Sequence, residues 1–310
     1  MKNGALARRD VITYFTLAAT TQMMRILVTG ASSPLAVGVM RQLLLNSDLE
    51  LWAGRHRKAI PLSDPRLHAI DLDLEKSGLT ETLSRTPVDM VIHFAGVTHA
   101  SDEQQYWKVN FEGTRRLAQA AHENGCRRFV YISTRCATHG SGAYGESKLA
   151  AEQELQKLEW NSLLIIRPAE IYGGGGQEGI DRMLTVARRW RVIPALFGNT
   201  NLQFAPMHVD DFTRLAVELI QQHNTGVRIE TICGPEDLNG IELAQRIFKH
   251  YRALPLPLWW PAVSISLKTL QKLGWAIVKP DQLTRLTGDK TGNAASRALT
   301  SEELRRFPAN

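Results

Sequence analysis

The sequence predicts an α/β fold, in which a parallel sheet with helices on both faces is followed by a smaller C-terminal lobe. Short apolar runs typical of buried strands alternate with helical or loop segments through the first half of the chain. This alternation favours a parallel sheet, because each crossover between parallel strands places a helix on one face. Beyond residue 173 the segments become irregular and richer in proline and tryptophan. We therefore expect a first domain over residues 24–172 and a second lobe over residues 173–310, part of whose chain returns to the sheet.

The predicted elements follow one another at spacings suited to this fold. The first strand, residues 25–29, ends in a glycine turn, and apolar side chains then recur at helical spacing over residues 35–45. Further strands are predicted at residues 49–53, 67–70, 89–95, 129–133 and 163–167, with a helix at residues 114–123. Because Met24 directly precedes the first strand, residues 1–23 are interpreted as a disordered N-terminal extension from an upstream start, with an ordered extra helix or a targeting or anchoring segment as alternatives.

Composition excludes several classes of protein and of partner. With 44% hydrophobic and 22% charged residues in 310, the chain is neither mainly disordered nor a multispanning membrane protein. The net charge of +6 is spread along the chain, which suits an anionic small substrate better than a nucleic acid. Three cysteines without metal-ligand spacing favour a reducing cytoplasm and predict neither a disulfide framework nor a metal site.

The turn between the first strand and its helix is a candidate phosphate-binding loop. A dinucleotide pyrophosphate would meet backbone N–H groups and the positive end of the helix there. The predicted cofactor-binding residues in this turn are Thr29, Gly30, Ser32, Ser33, Pro34 and Leu35. The turn resembles the TGxxGxxG motif of the extended short-chain dehydrogenase/reductase family, the epimerase/dehydratase group. Only the first glycine is kept, because Ser33 and Ala36 stand at the second and third positions.

The resemblance implies a Rossmann-type doubly wound sheet, a dinucleotide-binding domain over residues 24–172 and a mainly substrate-binding C-terminal lobe. In this family an acidic residue at the end of the second strand bonds the adenosine ribose of NAD. Here Arg55 and Arg57 stand in that region, and two guanidinium groups can pair with a 2′-phosphate. NADP(H) is therefore favoured, NAD(H) is the alternative, and the arginines as plain surface charges are the third interpretation. Asp71 and Leu72 resemble the family's adenine-contact pair, with residues 73–74 as a competing register.

A second group of residues resembles the family's catalytic set. Thr134 follows a strand, and Tyr144 and Lys148 form the YxxxK pattern one helical turn apart. Hydride transfer to a carbonyl needs a matching proton, and a lysine beside a tyrosine stabilises phenolate and lowers the tyrosine pKa. The resemblance assigns Thr134 to hold the reacting oxygen, and gives Asn110 either a supporting role toward the lysine or a purely structural one. The remaining predicted cofactor contacts are Phe94, Ala95, Gly96, Tyr144, Lys148, Pro168 and Ile171.

Departures from the family pattern narrow the reaction. The family's 4,6-dehydratases carry Asp-Glu after the catalytic threonine, whereas this chain has Arg135 and Cys136, so elimination lacks its acid and base. We therefore expect an NADP(H)-dependent oxidoreductase of a hydroxyl or keto group, most simply on a nucleotide-linked sugar. An NAD-dependent nucleotide-sugar epimerase is the first alternative, and a non-catalytic cofactor-binding assembly or regulatory subunit is the second.

Expectations for partners and for the second lobe are broader. The chain should bind a small molecule and neither nucleic acid nor a membrane, and it is compatible with a homodimer. Arg182, Arg188, Arg189 and Arg191 are candidates for holding a diphosphate, or else form a solvated helix face. Residues 254–275, rich in tryptophan and proline, are expected chiefly to pack in a pocket or core, ahead of covering a protein partner or a membrane interface.

Overall fold

The fold is a seven-stranded parallel sheet with helices on its faces and a smaller second lobe. The computed structural model describes residues 23–76, 78–100, 102–175, 179–198, 202–222, 225–272, 285, 290–292 and 304–308. The extension predicted for residues 1–23 therefore lies, except for Met23, outside the described residues. The predicted fold class, a Rossmann-type parallel sheet flanked by helices, is confirmed.

The sheet has the strand order β11-β6-β5-β4-β1-β2-β3. Its strands are β1 Met24–Thr29, β2 Leu49–Arg55, β3 Leu67–Asp71, β4 Met90–His93, β5 Arg128–Ile132, β6 Ser162–Pro168 and β11 Gly226–Ile232. The order reverses between β1 and β4, so the chain leaves the sheet in opposite directions there. Such a switch point opens a crevice at the carboxyl ends of the strands, where ligands bind in doubly wound sheets.

Helices cover the sheet on both faces. Those of the sheet domain are α1 Pro34–Leu43, α2 Leu79–Arg85, α3 Gln104–Tyr106, α4 Thr114–Glu123, α5 Gly142–Leu155 and α7 Val209–Gln222, with a π-helical stretch at Trp107–Gly113. Alternate residues of the strands point to opposite faces. In β1, Ile26 and Val28 therefore pack under α1 and α7, whereas Leu27 packs under α2, α4 and α5.

The second lobe has its own core, and the chain crosses back to the sheet through α7 and β11. Its elements are β7 Ile171–Tyr172, α6 Gly179–Trp190, β8 Val192–Phe197, β9 Gln203–Phe204, β10 Met207–His208, β12 Leu238–Asn239, α8 Gly240–Tyr251, β13 Leu254–Trp259 and α9 Trp260–Lys272. Near the C-terminus, Leu304 packs in the core beneath the sheet and Phe307 in the core of the lobe. Residues 304–307 thus tie the two cores together.

The segment expected chiefly to pack, residues 254–275, does so only in part. Trp260 is buried, but Trp259 is 55% exposed and the leucines of β13 also face solvent. Trp275 lies outside the described residues. Among the described helices, none combines the length and the apolar character that a membrane span requires.

Candidate active site

The turn after β1 is shaped by a close approach between β1 and the chain that follows β4. Gly30 has φ +63°, and a Cβ there would lie 2.7 Å from the backbone nitrogen of Ala95. Both the left-handed backbone and the contact require glycine. Ser33 differs, because its φ of −76° suits any residue and its Oγ accepts a hydrogen bond of 3.3 Å from the backbone N–H of Ala36, capping α1. The position of the family's second glycine is therefore occupied by an ordinary helix N-cap.

The turn retains backbone donors that suit a pyrophosphate. Pro34 has no N–H, and the N–H of Ser33 donates to the carbonyl of Gly30 at 3.0 Å. Those of Ser32 and Leu35 find no acceptor in the described part of the chain. Together with the positive end of α1 they form an anion-binding turn. The residues present thus fit a dinucleotide, and within residues 30–35 only Pro34 lacks a backbone N–H donor.

A directional chain of hydrogen bonds fixes the floor of the crevice. Thr29 Oγ1 accepts from the N–H of Ala95 at 3.2 Å and donates to His93 Nδ1 at 2.5 Å. His93 Nε2 then donates to Thr114 Oγ1 at 2.9 Å, and that hydroxyl donates to the carbonyl of Asn110. Burial, with a smaller effect of the nearby Lys148 charge, lowers the pKa of His93 to about 3, so the ring is neutral. Sequence reasoning gave His93 no such role, since this series of hydrogen bonds joins residues that are far apart in sequence.

Lys148 lies buried at the carboxyl end of β5. Its Nζ donates to the carbonyl of Ile132 at 3.0 Å and lies 4.7 Å from the centre of the Tyr131 ring. Burial lowers its pKa to about 8, and the charge of Glu152 opposes that effect. A Cβ on Gly96 would lie 3.0 Å from Asn110 Oδ1 and 3.3 Å from the lysine nitrogen, so glycine lets the chain after β4 pass close to both without displacing them. Tyr144 precedes Lys148 by one turn of α5, is buried, and packs edge-to-face on Tyr106.

Thr134 and Asn110 are the other two residues that the sequence assigned to the catalytic set. Thr134 follows β5, is buried, and its Oγ1 accepts a hydrogen bond from the N–H of Cys136 at 3.2 Å. Asn110 lies in the π-helical stretch and forms two hydrogen bonds with the backbone of Val97. Its Oδ1 accepts from the Val97 N–H at 2.7 Å, and its Nδ2 donates to the Val97 carbonyl at 3.0 Å. These two hydrogen bonds correspond to the structural role, one of the two roles expected for Asn110. The other role, supporting Lys148, stays a prediction.

Beside Thr134 lies a buried ion cluster that sequence reasoning missed. Arg135 donates to Glu170 at 3.0 Å, and Lys290 donates to the same carboxylate at 3.2 Å. Burial alone would raise the pKa of Glu170, but Lys290, Arg135 and the N–H of Ala205 outweigh it and bring the pKa to about 2. Arg135 thus occupies the place where a dehydratase carries its acid. No sequence pattern links residues 135, 170 and 290, which meet only in the fold.

A positively charged side chain from the C-terminal part of the chain lies against the Tyr144 ring. The guanidinium of Arg285 is 4.4 Å from the centre of the Tyr144 ring. Thr291, six residues further on, bonds the carbonyl of Arg135 through both its N–H, at 2.8 Å, and its Oγ1, at 3.1 Å. The C-terminal part of the chain therefore contributes positive charge to the crevice formed by the sheet.

The expected adenosine end of the site is a cavity of about 410 Å³ at the ends of β2 and β3. Its lining includes Arg55, Asp71 and Leu72. Arg55 Nε donates to Asp71 Oδ1 at 2.9 Å, and both side chains are largely exposed. Arg57 is exposed in the turn after β2. An exposed pair of this kind contributes little to stability, so Arg55 can exchange its partner at low cost.

The other predicted residues divide between this crevice and the periphery. Pro168 ends β6, and its carbonyl accepts from the N–H of Arg135 at 3.0 Å, while Ile171 lies in β7. Phe94, Ala95 and Gly96 follow β4 at the crevice. Of the arginines weighed for a diphosphate, Arg182 lies in the first turn of α6, the end whose Asp181 bonds the N–H of Gly173 after β7. Arg188, Arg189 and Arg191 are exposed at the other end of the helix.

Comparisons with known proteins identify the family of the chain. A model of the NAD dependent epimerase/dehydratase family matches residues 26–233. A UDP-glucose 4-epimerase of Vibrio cholerae is 26% identical over 294 residues, covering 85% of each chain. A ceramide reductase of Caulobacter vibrioides is 31% identical over 194 residues, covering 59% of this chain and 57% of that protein.

Solved structures show the same fold. MoeE5 in complex with UDP-glucose and NAD superposes with a TM-score of 0.63 at 22% identity, covering 76% of this chain and 84% of that one. UDP-glucuronic acid 4-epimerase from Bacillus cereus with NAD gives a TM-score of 0.65 at 20% identity, covering 76% and 85%. The family match spans most of the chain, including the phosphate turn, Thr134, Tyr144 and Lys148. The chain belongs to the NAD-dependent epimerase/dehydratase family and is an enzyme of that NAD(P)-dependent class.

Proposed function

We propose that this enzyme is an NADP(H)-dependent oxidoreductase acting on a hydroxyl or keto group of a nucleotide-linked sugar, with Tyr144 as its acid and base. The observation that carries the proposal is the position of Tyr144 and Lys148 one turn apart on α5, with Lys148 Nζ held at the carboxyl end of β5 beside Gly96. When bound, the nicotinamide supplies or accepts the hydride. The chain must supply the matching proton.

Each residue then has a defined task. Tyr144 donates its hydroxyl proton to a carbonyl oxygen in reduction and removes it in oxidation. Lys148, protonated below its pKa of about 8, stabilises the phenolate through its charge. Thr134 donates a hydrogen bond to the substrate oxygen while its own Oγ1 accepts from Cys136 N–H. Asn110 holds the loop at Val97 and thereby keeps the chain after β4 in place.

Positive charge in the crevice supports an anionic substrate. Arg285 lies over Tyr144, and Arg135 and Lys290 share the single carboxylate of Glu170. A nucleotide-linked sugar carries a diphosphate that such cations can bind. Relatives point in the same direction, since the similar protein of Vibrio cholerae is a UDP-glucose 4-epimerase and MoeE5 was solved with UDP-glucose.

The 2′-phosphate preference rests on the end of β2. The strand ends in Arg55, which holds Asp71 only through an exposed ion pair, and Arg57 follows in the turn. A 2′-phosphate can replace Asp71 as the partner of Arg55 and reach Arg57. Solved neighbours carry NAD, so NAD(H) is the competing cofactor.

Dissociation constants for NADPH and NADH, measured by fluorescence titration on the wild type and on Arg55→Gln/Arg57→Gln, test the preference. The variant should lose NADPH affinity by more than about tenfold and NADH affinity little, because each charge-assisted contact contributes roughly 1.5–3 kcal/mol. Arg41→Gln/Lys157→Gln, at exposed positions near the C-terminal ends of α1 and α5, is the control with the same change in charge. A wild type that prefers NADH would contradict the proposal, as would equal loss of both cofactors.

An epimerase is the second candidate, favoured by the match to a UDP-glucose 4-epimerase over 85% of both chains. A panel of UDP-sugars and their keto derivatives, incubated with NADPH, NADP⁺ or NAD⁺, separates the two functions. Net oxidoreduction changes absorbance at the nicotinamide band, whereas epimerisation gives a new sugar by NMR without a net change. Cofactor binding with no turnover across the panel would favour the second alternative, a non-catalytic cofactor-binding assembly or regulatory subunit.

A further inference from the structure

The second lobe presents an apolar strip on a small sheet. In the parallel pair β8 and β13, Leu254 lies beside Val192, Leu256 beside Pro194 and Leu258 beside Leu196, so these residues share one face. The leucines are 62%, 49% and 37% exposed. The opposite face, with Ile193 and Ala195, is buried in the core of the lobe. On the leucine side, the β8 residues Val192, Pro194 and Leu196 are only partly exposed, so the exposed apolar surface is that of the β13 leucines.

Positive charge borders this strip at one end. Helices α6 and α8 end side by side there, since the N–H of Leu254 donates to the carbonyl of Arg191 at 2.7 Å and the Arg191 guanidinium donates to the carbonyl of Tyr251. The exposed cations at these helix ends are Arg188, Arg189, Arg191, Lys249 and Arg252. The sequence contains no aspartate or glutamate in residues 182–209 or 243–280. Leu254, Leu256, Leu258, Trp190 and these cations are called the cationic–apolar face below.

We propose that the cationic–apolar face attaches the enzyme peripherally to the surface of an anionic phospholipid bilayer. The leucines enter the boundary between headgroups and acyl chains, and the cations meet the lipid phosphates. Trp190, 69% exposed and with the Arg189 guanidinium 5.7 Å from its ring centre, is a residue type that favours this boundary. The sequence alone favoured packing for residues 254–275 because periodicity does not show which side of a strand is covered.

The same strand is poorly suited to extend a sheet of another protein. β13 pairs only with β8 within the described residues, and it contains Pro255 and Pro257. Proline lacks the N–H that a further strand would need. The strip is apolar, it is bordered by cations, and residues 182–209 and 243–280 contain no carboxylate side chain. These properties suit a lipid surface, because binding to lipid needs neither strand pairing nor a shaped pocket.

Vesicle co-sedimentation with the full chain tests the proposal. Vesicles of phosphatidylcholine with about one-third phosphatidylglycerol should bind the protein, vesicles of phosphatidylcholine alone should not, and 0.5 M salt should release it, since charge attraction to the membrane is screened over a short distance. Equal binding to neutral vesicles, or none to either, would overturn the proposal. The latter is the result expected if another part of the chain covers the strip.

Two variants locate the binding on this face. Arg188→Gln/Arg189→Gln/Arg252→Gln should weaken partitioning about a hundredfold, because each cation near an anionic membrane contributes roughly a fivefold gain. Leu254→Ser/Leu256→Ser should also abolish sedimentation. The matched control Arg41→Gln/Arg85→Gln/Lys157→Gln makes the same change in charge on the sheet domain and should bind normally. Equal loss in the control would show unspecific attraction. A wild-type dimer that Leu254→Ser/Leu256→Ser converts to monomer would instead assign the face to a second copy and contradict the proposal.

Discussion

Replacing Glu170 by glutamine should destabilise the fold strongly and in a pH-dependent way. Glu170 is the only carboxylate that contacts both Arg135 and Lys290 among the described residues, and those two side chains are 3% and 8% exposed. The fall of its pKa from 4.5 to about 2 corresponds to about 3 kcal/mol of stabilisation. Breaking a buried pair by removing one partner costs roughly 3–5 kcal/mol, in the same range.

The sign of the pH dependence follows from the lowered pKa. The stabilisation is complete above the unfolded-state pKa of 4.5 and is lost as pH falls toward about 2, where Glu170 becomes protonated and resembles glutamine. Urea unfolding of the wild type and Glu170→Gln at several pH values should therefore show a gap of about 3 kcal/mol at pH 7 that closes in acid. Glu230→Gln, which breaks the more exposed pair with Arg228, is the control and should cost less than about 1 kcal/mol. A gap below about 1 kcal/mol for Glu170→Gln at pH 7, or one that does not close in acid, would refute the assigned role of the cluster.

Two further substitutions examine the turn and the lysine. Lys148→Met should move the pH–rate profile toward alkaline values and weaken cofactor binding, because the charge that stabilises phenolate is lost. The control is Lys157→Met, an exposed residue just beyond the end of the same helix. An unchanged pH–rate profile in Lys148→Met would oppose the role of Lys148. Gly30→Ala should cost at least about 2 kcal/mol in urea unfolding, since it adds a 2.7 Å contact with Ala95 to roughly 1–2 kcal/mol of left-handed backbone strain. Gly140→Ala, with φ +73° and open space around its Cβ, carries the strain alone, and equal costs at the two positions would contradict the contact.

The sequence predicted the sheet domain well because buried parallel strands are short continuous apolar runs. Strands β1, β2, β3, β5 and β6 lie within two residues of their predicted ends. β4 stops at His93 instead of residue 95, since the N–H of Ala95 turns to Thr29 Oγ1. β11 was not located, because this edge strand is largely exposed and lacks an apolar run.

Residues of the candidate site could be predicted where residue types recur at fixed spacing, and not where their position depends on tertiary contacts. Tyr144, Lys148 and Gly30 carry their chemistry in local patterns, a helical turn or a strand-to-helix turn. Glu170 and Arg285 are charged residues without a pattern, and only the fold brings them beside Thr134 and Tyr144. The pairing of Arg55 with Asp71 likewise depends on the register of β2 against β3.

The most direct measurement of the central claim is single-turnover reduction of a UDP-linked keto sugar by Tyr144→Phe, with the cofactor dissociation constant determined on the same preparation. Only the hydroxyl is lost, so cofactor affinity should stay within about threefold of the wild type while the rate falls by roughly a hundredfold or more. Tyr251→Phe, at the end of α8 in the second lobe, serves as the matched control and should keep most of the rate. A Tyr144→Phe rate within about threefold of the wild type would contradict the assignment of Tyr144 as the acid and base, since proton transfer by a positioned group contributes roughly 10²–10⁴-fold.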